Sequence, residues 1–135
     1  MNTFDLSQYE LDETATLTVQ NAREDGDLIG ADGINPVRIK LYGSGSEQYA
    51  RADHRANNAA TNRMQAAFRG KAPKNQAEMA QQDLAQKLAS CTAAIENFPV
   101  DPLALYSNNK LGYIRKQVAK FLEDDANFAK GSATN

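Results

Sequence analysis

The spacing of apolar residues changes once along this chain, near Gly43, and that change constrains the fold more than any other feature. Before it, Ala15, Leu17 and Val19 alternate with Thr16, Thr18 and Gln20. Val37, Ile39 and Leu41 alternate in the same way with Arg38, Lys40 and Tyr42. A period of two with β-branched residues predicts strands with one buried face. Asp25-Gly26 and Asp32-Gly33 mark turns between the runs, and Leu28-Ile29 reads as a short extra strand pairing through the second turn. Two or three antiparallel strands are marginal alone and need helices to cover them.

After Gly43 the spacing is helical. From Glu47 to Arg69 there is neither Pro nor Gly, and Tyr49, Ala52, Ala56, Ala59, Met64, Ala67 and Phe68 recur on helical turns. Ser44 and Glu47 have the separation of a capping box, and Gly70 supplies a left-handed stop. The alanine stripe permits close approach of another helix or another subunit. A second helix is expected from the cap Asn75, with Glu78 three residues on, to Asn97-Phe98-Pro99. Met79, Leu84, Leu88, Cys91 and Ile95 would share its inner face, and Pro73 lies in the connection before it. Asp101-Pro102 opens a short helical piece through Tyr106, which Ser107-Asn108-Asn109 breaks. A last helix turns Leu111, Ile114, Val118, Phe121 and Leu122 inward and stops near Asn127-Phe128. Ala129 to Asn135 reads as a disordered tail. The expected fold is α+β and mostly helical, one domain over residues 1–128. A small antiparallel sheet in 14–43 packs against three to four helices in 44–128.

The 135 residues are 41% hydrophobic and 24% charged, which suits one modest core. Charge is unevenly placed: residues 1–35 hold eight acids and one base, and residues 36–78 hold eight bases and three acids. The two blocks either neutralise each other within one fold or draw copies of the chain together head to tail. No apolar run approaches the ~20 residues of a membrane helix. Met1 to Asp5 lacks the basic patch and apolar run of a signal peptide, so a cytoplasmic protein is expected.

Catalytic chemistry is sparse. His54 and Cys91 are single copies of their types and fall short of a zinc-ligand set. His54 reads as solvated surface and Cys91 as a core thiol. Gly43-Ser44-Gly45-Ser46 lacks the Walker lysine and the Rossmann spacing, so a turn and cap are expected there. Glu123-Asp124-Asp125 lacks a cation-loop pattern and, late in a helix, opposes its dipole. Arg51, Arg55, Arg63, Arg69, Lys71 and Lys74 raise phosphate contacts, against a pI near 5.4 and without a reading motif. These residues point to a non-enzymatic interaction protein with no catalytic residue, cofactor or metal, no nucleic acid and no membrane among its partners. A small nucleic-acid-binding regulator is the alternative from another class.

Three segments carry a resemblance. Val37 to Gly43 leads into Ser44-Gly45-Ser46-Glu47-Gln48-Tyr49, and Leu88-Ala89-Ser90-Cys91-Thr92 follows. The third joins Leu105-Tyr106-Ser107-Asn108, Leu111 to Val118, and Asp124-Asp125-Ala126-Asn127-Phe128. In order and spacing this resembles the tail assembly chaperones of long-tailed bacteriophages and their prophage copies, from about Ala15 to Phe128. The stretch around Ile95 departs from that pattern, in which an aromatic often follows the Cys-Thr pair. The resemblance implies a temporary factor in the bacterial host cytoplasm, absent from the mature virion. It would coat the long helical tape-measure protein, keep it soluble, recruit tail-tube protein and self-associate as a homo-oligomer or head-to-tail polymer. Contacts would then fall on Tyr49, Arg51, Arg55, Met64 and Phe68 of the first long helix and on Tyr113, Arg115 and Phe121 of the last. A permanent minor tail or head–tail connector protein is the nearest alternative.

Overall fold

In a computed structural model of the chain, which describes residues 4–71 and 75–130, the alternating runs become β1 (Thr14–Thr18) and β2 (Arg38–Tyr42). They pair antiparallel, with Ala15 opposite Leu41 and Leu17 opposite Ile39. Four helices follow: α1 (Glu47–Phe68), α2 (Gln76–Ser90), α3 (Pro102–Ser107) and α4 (Gly112–Glu123). The fold is α+β and mostly helical, with a three-stranded antiparallel sheet.

The third strand is not the one the turn dipeptides suggested. Leu28 bonds Val19 and Val37 through its backbone, at 2.8 Å each. Yet that stretch adds only isolated bridges, Gln20 to Asp27 and Ile29 to Pro36. The sheet is completed by β3 (Thr92–Glu96), on the far edge of β2 in the order β1-β2-β3. The helix expected to reach Asn97 therefore ends at Ser90, with Cys91 as its cap. The free edge of β2 needs backbone partners, and Thr92 and Ile95 are β-branched residues suited to supply them. The face of α2 is also rotated from expectation: Ala85 and Leu88 are buried, whereas Leu84 is 39% exposed.

Three further helix ends differ from the sequence reading. Ser46, not Ser44, caps α1, accepting the Tyr49 N–H at 3.1 Å while its hydroxyl donates to the Gly43 carbonyl at 2.7 Å. The Ser44 hydroxyl instead donates to Asp125 at 2.7 Å. Asn75 precedes α2 without a side-chain cap bond. Asp101 caps α3 as expected, accepting from Ala104 N–H at 3.1 Å. α4 stops at Glu123, short of Asn127, because Asp124 caps a separate 3-10 turn, Asp125–Phe128, through the Ala126 N–H. Asp124 and Asp125 thus stand at the start of a turn, where backbone N–H groups favour negative charge.

The core joins Val37, Ile39 and Leu41 to Ala52, Leu88, Leu105, Tyr106, Ile114, Val118 and Phe128. The Phe128 ring sits over Gly43 so closely that a Cβ there would collide with it. Asp12 N–H donates to the Phe128 carbonyl at 2.7 Å, and Leu11 bridges Ala129. Ala129, expected in a loose tail, is therefore paired. Residues 131–135 of that tail, with Pro73 and Lys74, lie outside the described residues.

Gly43→Ala is expected to destabilise by about 1–3 kcal/mol through overpacking. Leu88→Ala should cost about 2–5 kcal/mol, and Leu84→Ala under about 1 kcal/mol. Urea unfolding followed by circular dichroism reads all three. A Leu84 cost equal to that of Leu88 would contradict this packing.

Candidate functional site

α1 rises about 33 Å along its 22 residues and is held unevenly. Its first half is tied to α2. Lys87 Nζ bonds Asp53 at 2.9 Å and lies 5.1 Å from the centre of the Tyr49 ring. Partial burial disfavours the Lys87 charge, but the Asp53 hydrogen bond and the charge interactions with Tyr49 and Asp53 outweigh it and leave its pKa raised. Arg63 pairs with Asp83 further along. Small side chains, Ala52, Ala56 and Ala59, face α2, so the alanine stripe serves an internal contact.

Past Ala59 the outer surface changes. Ala60, Met64, Ala67 and Phe68 are exposed, at steps of four, three and one residues. This is the i, i+4, i+7, i+8 spacing with which one helix anchors on another. Met64 is 62% exposed and Phe68 85%, and no described part of the chain covers them. Arg69 and Lys71 follow directly and are exposed too.

The residues singled out in the sequence fall in three places. Tyr49, Arg51 and Arg55 lie on the anchored half of α1. Arg51 pairs with Glu47 at 2.8 Å, and Arg55 reaches Ser90 at 3.5 Å. Met64 and Phe68 form the exposed stripe. Tyr113, Arg115 and Phe121 belong to α4, and all three are half-buried. Phe121 meets Phe128 edge to face at 5.5 Å. Arg115 donates to the Tyr106 carbonyl at 3.0 Å and borders an open cleft of about 420 Å³, where Gln81, Gln82 and Gln86 face Leu103 and Ser107.

A further surface escaped the sequence reading. Residues 4–9 form a projecting arm: Asp5 caps a 3-10 turn, Leu6–Tyr9, and Phe4 stacks on Tyr9 at 5.8 Å. Phe4, Leu6 and Tyr9 are all largely exposed. The usable signal was three large apolar residues, interleaved with acids, ahead of the first strand.

No family model, curated protein or solved structure matches this chain. Its chemistry must be read from its own groups. Cys91 is fully buried, and burial pushes its thiol up to about 11 despite the nearby Lys87. His54 is exposed, with the Asn58 amide 3.3 Å from its ring. Asp32 accepts the Ile34 and Asn35 N–H groups and the Asn97 amide, which hold its carboxyl far below the usual carboxylate range. That cluster fixes a loop to the end of β3. No described helix is long and apolar enough to cross a membrane. What the surface offers is apolar contact flanked by charge.

Native Cys91 should resist iodoacetamide at pH 8 and react once unfolded in urea, because only the thiolate attacks. Its raised pKa also has a sign for stability: the contribution is whole below pH about 9, where the unfolded thiol ionises, and is lost as pH climbs toward 11. Mass spectrometry of the alkylated chain checks the first point. A melting temperature that stays flat between pH 8 and pH 11 would contradict the second.

Proposed function

We propose that this protein is a tail assembly chaperone that binds the tape-measure protein of a long-tailed phage or prophage and keeps it soluble while tail-tube protein is recruited. The exposed stripe of Ala60, Met64, Ala67 and Phe68 on α1 carries the reading. Its spacing suits a helical client, the flexible Met64 side chain adapts to varied partners, and the small Ala60 and Ala67 let a partner helix approach closely. The resemblance in the Leu105–Phe128 block names the client, and the stripe supplies a contact for it.

The magnitudes fit a temporary factor. Burying one large apolar side chain contributes about 1.5–3 kcal/mol, so two of them make a weak site. A long client offers many such sites, and repeated weak engagement covers it without one tight complex. In this reading the protein acts in the host cytoplasm and leaves before the virion matures.

Co-expression with the tape-measure protein tests this. The client should precipitate alone and become soluble and co-purify when this chain is present. Met64→Gln with Phe68→Ser should lower recovery about tenfold, with stability changed by less than about 0.5 kcal/mol because both side chains are exposed. An insoluble client with wild-type chain present, together with this chain in purified particles, would favour a minor tail or connector protein instead.

A further inference from the structure

Two charged apolar surfaces of this chain stay apart within one molecule. The arm and its root, residues 4–13, hold Phe4, Leu6 and Tyr9 with Asp5, Glu10, Asp12 and Glu13, and no base. The far end of α1, residues 63–71, holds Met64 and Phe68 with Arg63, Arg69 and Lys71, and no acid. The ion pairs among the described residues are Glu47–Arg51, Arg63–Asp83 and Asp53–Lys87. None uses an acid of the arm, and none uses Arg69 or Lys71. The acidic and basic blocks therefore do not neutralise each other through ion pairs within the described fold.

Geometry explains the separation. Gly43 N–H donates to the Glu13 carbonyl at 2.9 Å, and Leu11 packs beside Gly45. The arm thus leaves the body at the N-terminal end of α1. Met64 and Phe68 lie about 27 and 33 Å along the axis from Ser46, at 1.5 Å per residue. Wound into its Asp5-capped turn, the arm stays far short of them. A second copy has no such limit.

We propose that the arm of one copy docks on the α1 stripe of the next. Phe4, Leu6 and Tyr9 meet Met64 and Phe68, and the arm's acids face Arg69 and Lys71. The two surfaces lie at opposite ends of α1, so the contact is heterologous, and each added copy presents a fresh arm and a fresh stripe. Arg51 and Arg55 stand outside it, engaged with Glu47 and Ser90. So small a contact belongs with weak interfaces, with Kd of about 0.01–1 mM. It does not depend on the client reading, because it concerns the free chain alone. It deepens that reading in one respect: arm and client share the stripe, so a client displaces the arm.

Sedimentation velocity on the full chain, from about 10 µM to 1 mM, tests the contact. The weight-average mass should rise with concentration past that of a dimer and fall as salt is added. E10K with E13K should hold the chain at monomer mass, and so should R69E with K71E. All four together restore opposite charges at an unchanged net charge of −2 and should restore growth. Phe68→Gln, at an exposed position, should weaken association at least tenfold. A monomer throughout, a plateau at twice the monomer mass, or growth that the reversed pairs leave unchanged would overturn the proposal. Failure of client co-purification would leave these masses untouched, which separates the two readings.

Discussion

β2 must be satisfied on both edges and on one face, and the rest of the chain is arranged around that demand. Ile39 and Leu41 are fully buried, and β1 and β3 take up the backbone groups on either side. β3 follows directly from α2, so completing the sheet also lays Leu88 and Cys91 over it. The Thr92 hydroxyl bonds the Leu88 carbonyl at 2.9 Å and lies 2.8 Å from the Tyr106 hydroxyl. Tyr106 is buried, which pushes its hydroxyl up to about 12, and a buried hydroxyl without a partner would be costly. Arg115 then bonds the Tyr106 carbonyl from α4. A line of polar contacts thus runs from sheet to α3 to α4, at the points where apolar packing alone would leave the angles between elements free.

Much of this was legible because the signals were local. Ala15, Leu17 and Val19, or Val37, Ile39 and Leu41, keep strict alternation, and only a strand puts residues two apart on one side. Pro102 after Asp101, and the uninterrupted run from Glu47 to Arg69, are equally self-contained. β3 was hidden for a definite reason. Leu41 pairs with Thr92 and Lys40 with Ala94, so Ala93 is an extra residue at a bulge. The bulge turns Thr92 and Ile95, three residues apart, to the same side, and with Leu88 they reproduce the spacing of a helix face. The true strand was distinguishable only by the open edge of β2, which is a tertiary fact. The Ser46 cap was misassigned for a similar reason. Ser44 has the better capping spacing but is drawn to Asp125, 81 residues away.

The candidate surface was half legible. Met64 and Phe68 were singled out, but as members of a helix face that also held Tyr49. Helical spacing cannot tell which turns of a long helix have a neighbour. α2 meets α1 through Asp83 and Lys87, and only the turns beyond that contact are bare. The arm was missed because a single capped 3-10 turn is too short to show a period.

The bare half of α1 has energetics suited to a surface that must let go. Ala52 is the one fully buried residue described in this helix. The far half therefore draws little stability from packing and relies on helix propensity, which its alanines favour, and on the pair of Arg63 with Asp83. A segment held so lightly can adjust its side chains and fray its last turn at small cost when a partner's shape requires it. The same looseness limits how tightly it can hold any one partner, because ordering on binding offsets part of the apolar gain. Affinity then comes from the number of contacts rather than from the strength of each. Under the proposed function, a long client with many apolar turns meets that condition, whereas a single arm of a neighbouring copy does not.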